Sequence, residues 1–148
     1  MIDRSRKYPI FNDKYEMFKE LGEGNTSKVY LAQALNDQVK PRLVAIKVLK
    51  PNFLHANADN IRSVENEIRI LKHVLSHKNI VALYEYGDDG VIVKPSGRHI
   101  TKIIYTVMEY VPGDLLFDAC QSLGAMGEDA GRFFASQMLD TLEYIHSK

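Results

Sequence analysis

Three features of this chain are of a type that could do chemistry, the first as a cradle for phosphate oxygens and the other two as an ion pair. The first is Gly22-Glu23-Gly24, lying between two segments of strand-like pattern. Glycines at a tight strand–strand turn let a backbone approach a ligand closely and present amide N–H groups to its oxygens. The same pair also occurs in ordinary hairpin turns, so alone it decides little. The second is Lys47 within Leu43-Val44-Ala45-Ile46-Lys47-Val48-Leu49. Side chains alternate across a strand, so Ala45, Lys47 and Leu49 share one face while Val44, Ile46 and Val48 share the other. A lysine among such neighbours either snorkels to water or meets an opposite charge, because an unpaired buried charge is costly. The third is Glu67. On a helix it falls within about 60° of Val64 and Leu71, beside the apolar stripe, whereas Glu65 lies across the helix toward solvent. Glu67 is thereby a mate for Lys47, or else an exposed helix-flank carboxylate.

The elements that would position these groups follow from periodicity. Tyr15–Leu21, Val29–Ala34 and Leu43–Leu49 read as strands, with Lys40-Pro41 marking the loop between the last two. Ile61, Val64, Ile68, Leu71 and Val74 or Leu75 recur at three- and four-residue spacing, which predicts an amphipathic helix over 59–75. Ile80–Tyr84 and Ile103–Met108 are β-rich. Val91–Val93, a turn at Lys94-Pro95-Ser96-Gly97 and Arg98–Thr101 predict an inserted or extended hairpin between them. After Val111-Pro112-Gly113 the pattern is helical, near Leu115–Ser122 and Glu128–Ser147. In the second helix Phe134, Met138, Leu142 and Ile145 form a stripe widened by Phe133 and Leu139. Residues 1–14 are polar, include the basic cluster Arg4–Lys7, and are expected to be a mobile lead-in. The layout is α+β, with helices following the sheet.

Composition narrows the class. Apolar residues make up 45% and charged residues 26%, a globular profile. Lysine plus arginine and aspartate plus glutamate number 19 each, so global charge does not point to nucleic acid or a membrane surface. No apolar run approaches membrane-spanning length, and the basic N-terminus lacks the apolar stretch of a secretory signal. Cys120 is the only cysteine, which excludes an intrachain disulfide and fits a reducing compartment. The expectation is a soluble intracellular protein, cytoplasmic or nuclear. His73 and His77 are four apart, but no third metal ligand is evident near them.

Several of these segments together resemble the protein kinase family. Leu21-Gly22-Glu23-Gly24-Asn25-Thr26-Ser27-Lys28-Val29 followed by Val44-Ala45-Ile46-Lys47 looks like its glycine-rich loop and lysine strand. Glu67 in Asn66-Glu67-Ile68-Arg69 matches the glutamate that pairs with that lysine. His77-Lys78-Asn79-Ile80-Val81 and Val107-Met108-Glu109-Tyr110-Val111-Pro112-Gly113 resemble the step into the next strand and the hinge between lobes. The resemblance runs from about Tyr15 to the last residue. It implies an ATP-binding lobe over 15–110, a five-stranded antiparallel sheet with one packed helix, then a hinge and the first two helices of a second lobe over 111–148.

The resemblance also implies roles. Lys47 and Glu67 form the catalytic ion pair, and the backbone of Gly22, Glu23, Gly24, Asn25, Thr26 and Ser27 cradles ATP phosphates beneath Leu21. Val29 and Ala45 cover one adenine face and Leu116 the other. The backbones of Glu109 and Val111 bond the adenine edge, with Met108 as gatekeeper. Leu71 and Leu83 belong to a hydrophobic spine linking the lobes. Phe117-Asp118 and Leu139–Ser147 resemble the calcium/calmodulin-dependent and AMP-activated group, which implies a protein serine/threonine substrate.

There are departures from that pattern. Ser27 replaces the third glycine, and Thr26 the usual aromatic at the loop tip. The acidic residue that meets ribose is displaced to Asp114, with Leu115 in its place, which leaves the ribose contact open. Neither His-Arg-Asp nor Asp-Phe-Gly occurs, so the base for the substrate hydroxyl and the Mg2+ ligands would lie in a missing C-terminal part. The 148 residues alone are expected not to transfer phosphate, and His146 is not the catalytic-loop histidine. A non-catalytic nucleotide- or partner-binding module is the alternative. The apolar last helix is expected to favour association of the isolated chain.

Overall fold

The computed structural model describes residues 7–36, 38–50, 58–74, 77–124 and 126–148. Met1–Arg6, Leu75 and the side chain of Ile61, which the sequence reading also used, lie outside the described residues. The chain forms β1 (Ile10–Phe11), β2 (Tyr15–Glu23), β3 (Ser27–Ala34), β4 (Leu43–Leu49), α1 (Ala58–His73), β5 (Leu83–Val93), β6 (His99–Glu109), α2 (Leu116–Leu123) and α3 (Glu128–His146). The strands close into an antiparallel barrel in the order β1-β2-β3-β4-β6-β5. Helices α2 and α3 follow the last strand, in keeping with the α+β reading.

Two expectations are corrected here. The sheet has six strands rather than five, because the supposed lead-in supplies β1. Ile10 pairs with Glu16 on one side and Val93 on the other, and Phe11 with Tyr15 and Ile92. Asn12 and Asp13 turn the chain with φ of +48° and +53°, a conformation these short polar residues tolerate. The Asn12 N–H donates to the Val91 carbonyl at 2.9 Å, and its side-chain oxygen accepts from the Val91 N–H at 2.8 Å. Phe11 is fully buried and meets Tyr105 edge-on at 4.8 Å between ring centroids.

The second correction concerns Ile80–Tyr84, where the strand begins only at Leu83. Ala82 still lies beside the end of β6. Its carbonyl accepts from the Glu109 N–H at 2.8 Å, and its N–H donates to Glu109 Oε2 at 3.1 Å. A side chain thus supplies one of the two bonds that a ladder would have made. The expected hairpin is extended, not inserted: β5 and β6 run eleven residues each and turn at Lys94–Gly97, where Gly97 has φ +80°.

The barrel interior takes the apolar face of every strand. Val44 and Ile46 share the core with Phe11, Tyr15, Met17, Ala32, Tyr105 and Val107. Two glycines make room for Tyr105. A Cβ on Gly90 would stand 2.8 Å from its ring, and one on Gly87 would stand 3.0 Å away. At the barrel end, Tyr15 Oη donates to Glu85 Oε1 at 2.6 Å, and Lys14 pairs with the same carboxylate. Burial, reinforced by that hydrogen bond to a carboxylate, pushes the Tyr15 phenol far above its ordinary range.

Helix α1 lays Val64 on the outside of the sheet, and Val74, one residue past the helix, is buried as well. None of the described residues of α3 is buried, and Phe133, Met138, Leu139 and Leu142 are exposed. The segment His77–Asn79 fastens this helix to the barrel at three points. His77 stacks on Tyr144 at 4.8 Å, Lys78 approaches Asp140 at 3.9 Å, and Asn79 Nδ2 donates to the Gln137 carbonyl at 3.2 Å. Cys120 is a half-buried free thiol on α2. No helix among the described residues is long and apolar enough to cross a membrane.

Candidate functional site

The site is built on the outer face of the sheet. Directly opposed residues of an antiparallel ladder share a face. Val29 pairs with Lys47 and Lys47 with Thr106, while Leu31 pairs with Ala45 and Ala45 with Met108. The register therefore places Val29, Ala45, Lys47 and Met108 on one surface, opposite the barrel core. Ala45 and Leu31 are buried there and give an apolar floor.

Lys47 Nζ stands 2.5 Å from Glu67 Oε1, so α1 reaches the lysine across the sheet. The lysine side chain is 21% exposed and the glutamate 47%. An ammonium tied to one carboxylate and open on its other side keeps N–H donors for a further anion.

The glycine hairpin joins β2 to β3 at the edge of the same face. A Cβ on Gly22 would meet nothing within 4 Å, and one on Gly24 only the Ser27 carbonyl at 3.9 Å. The fold itself does not require glycine at either place, unlike Gly87 and Gly90. The Gly24 N–H donates to the Ser27 carbonyl at 2.9 Å. The expectation that every amide from Gly22 to Ser27 faces a ligand is narrowed by this bond. Asn25 and Thr26 keep amides with no partner among the described residues.

The hairpin is tied by charge. Glu23 meets Lys28 at 2.8 Å and Lys50 at 2.5 Å, and Lys50 Nζ also donates to the Gly24 carbonyl at 2.9 Å. The Lys50 N–H bonds the Thr26 carbonyl at 2.9 Å. Hydrogen bonds from Lys28 and then Lys50 hold the Glu23 carboxyl down at about 2. The Glu23 bond in turn holds the Lys28 ammonium above its ordinary range.

At the other border, Glu109 spends its N–H on Ala82, as described above. Val111 is 58% exposed, and neither of its backbone groups is engaged among the described residues. Leu116 opens α2, separated from the apolar floor by the exposed run 111–115. Leu21 is exposed and Leu71 and Leu83 are half-buried. Asp114 is exposed. His73 Nδ1 lies 2.7 Å from the Arg69 carbonyl, and His77 Nδ1 accepts from the Asn79 N–H at 3.2 Å. No group of three His, Cys, Asp or Glu residues that could hold a metal ion occurs among the described residues.

Sequence reasoning did not single out Thr106, Lys28 or Lys50. The alternation of β6 would have placed Thr106 on the face of Met108, and the two lysines flank strand ends near the glycines. The signal was present but unremarkable, since polar residues at such positions usually face water.

Residues 15–148 match the family described as protein kinase domain. The chain is 34% identical over 144 residues to CBL-interacting protein kinase 20 of Oryza sativa subsp. japonica, covering 96% of the chain and 28% of that relative. It is 34% identical over 142 residues to calcium/calmodulin-dependent protein kinase type 1 of Macrobrachium nipponense, covering 96% and 36%. It is 30% identical over 148 residues to CBL-interacting serine/threonine-protein kinase 16 of Arabidopsis thaliana, covering 100% and 28%. The chain spans well under half the length of each of these relatives.

Proposed function

Because this chain belongs to the protein kinase domain family, we propose that it is the ATP-binding portion of a protein serine/threonine kinase, an enzyme that moves the γ-phosphate of ATP to a protein hydroxyl. The observation that carries the reading is the Lys47–Glu67 ion pair, held on the same sheet face as Val29, Ala45 and Met108. A triphosphate needs cationic and N–H donors at one end and an apolar slot at the other, and this face offers both.

The donor set fits a nucleotide. Lys47 directs its free N–H groups at phosphate oxygens while Glu67 holds the ammonium in place. The amides of Asn25 and Thr26 add neutral donors, and Gly22 leaves room for close approach. Val29 and Ala45 contact one face of the base and Leu116 closes the other when the hinge brings α2 near. The Glu109 carbonyl and the free backbone groups of Val111 read its edge, with Met108 behind. Mg2+, where bound, would neutralise phosphate charge. The base for the substrate hydroxyl belongs to the rest of the kinase domain.

The test is binding, a step that needs no catalytic loop. A fluorescent ATP analogue titrated into the 148-residue protein should bind and be displaced by ATP. Lys47→Met should weaken it about ten-fold or more, the scale of one charge-assisted hydrogen bond. Absence of ATP-displaceable binding in the wild type would overturn the reading. Equal affinity of Lys47→Met would remove Lys47 from it.

A further inference from the structure

One hydroxyl on the site face has no partner. Thr106 is 3% exposed, and its Oγ1 is the only buried side-chain polar atom without a hydrogen bond among the described residues. Buried polar atoms are ordinarily satisfied, and one that is not calls for a ligand, an ordered water or a movable neighbour. A valine would fill nearly the same volume with no orphaned atom, so packing alone does not favour threonine here.

The position of this hydroxyl is informative. Val29, Lys47, Thr106 and Tyr86 form one row across four strands, each the directly opposed partner of the next. Helix α1 touches the row at two places, Glu67 on Lys47 at 2.5 Å and Lys72 over the Tyr86 ring at 4.0 Å. Thr106 lies between them. Opposed residues of an antiparallel pair hold their Cβ atoms about 4.5–5.5 Å apart. The Thr106 oxygen is therefore within reach of the Lys47 ammonium, directly after a small rotation or through one water.

The ammonium has three N–H groups. Glu67 accepts one, and a phosphate oxygen would accept another. We infer that Thr106 is a positioning residue for Lys47: its hydroxyl accepts the third N–H when the lysine engages nucleotide, fixing the depth of the ammonium as Glu67 fixes its lateral place. The inference rests on the nucleotide role proposed for Lys47.

Thr106→Val and Thr106→Ser, titrated with the same fluorescent ATP analogue and melted without ligand, separate this from a structural role. Removing an orphaned hydroxyl should leave the thermal midpoint of Thr106→Val equal to or above wild type. Affinity should nevertheless fall about ten-fold, the lower end for one hydrogen bond from an ammonium, and Thr106→Ser should restore it to within about two-fold. In a Lys47→Met background, Thr106→Val should cause no further loss, because the partner is already gone. Wild-type affinity in Thr106→Val overturns the inference alone, as does a full additional loss in the Lys47→Met background. No displaceable binding by the wild type overturns the nucleotide reading and this inference together.

Discussion

The barrel and helix α3 both carry regular apolar patterns, yet they end in opposite states. Phe11, Val44, Ile46 and Val107 are fully buried, while α3, with its run of phenylalanine, methionine and leucine, buries none of its described residues. The strands of a closed sheet find their apolar partners within the chain. A helix with a broad apolar surface needs another layer of structure against it. Strength of pattern is therefore a poor guide to contribution: two residues of β1 matter more to this fold than the aromatic surface of α3.

Substitution can break that contrast at its extremes. Phe11→Ala should destabilise the protein by about 3–5 kcal/mol, the usual cost of deleting a buried aromatic. Phe133→Ala, at a side chain 61% exposed, should change stability by no more than about 0.5 kcal/mol. Chemical denaturation of both variants measures the difference. Comparable values would mean that β1 is peripheral or that α3 is covered.

The two glycine pairs sharpen the comparison within the sheet. Gly90→Ala drives a methyl against the Tyr105 ring and the Ile103 carbonyl, and should cost about 1–3 kcal/mol. Gly22→Ala meets only open space and should leave the melting midpoint in place while lowering nucleotide affinity. A Gly22→Ala protein that melts early would show that the hairpin needs glycine for itself.

The smallest effect concerns acid. The Glu23 carboxyl, drawn down to about 2 from an ordinary 4.5 chiefly by its hydrogen bond from Lys28, stabilises the fold above pH 4.5. That contribution should fade as pH falls from 4.5 through about 2. Glu23→Gln should flatten the loss of thermal midpoint across this window, and salt should shrink the difference because the pair is exposed. Parallel acid limbs in wild type and Glu23→Gln would show that the lysine ties do not hold in solution.

Much of the architecture was legible because local periodicity carried it. The alternation of Val44 and Ile46 with Ala45 and Lys47 gives both faces of β4, and the spacing of Val64, Ile68 and Leu71 orients α1. What escaped depends on distant pairing. Ile10 and Phe11 make too short an apolar pair to announce a strand; it exists because Val93 and Ile92 stand opposite. Ile80 and Val81 have strand-forming side chains, but Glu109 occupies the Ala82 backbone with its carboxylate and β5 starts later. Of the site, the Lys47 and Glu67 juxtaposition was readable from two faces that each needed a partner. Thr106 was not, since its importance lies in lacking a hydrogen bond, which no sequence displays.

The fastening of His77–Asn79 to α3 has a mechanical consequence. The barrel meets the helical region through this short segment and again through the covalent run 111–115. If these two attachments act as pivots, the easiest relative motion is rotation about the line that joins them. The glycine hairpin, far along the sheet from Glu109, swings through the widest arc of such a rotation, while Ala82 and Glu109 near the axle hardly travel. Opening and closing would then be the turning of a door whose two pins are His77–Asn79 and the exposed linker.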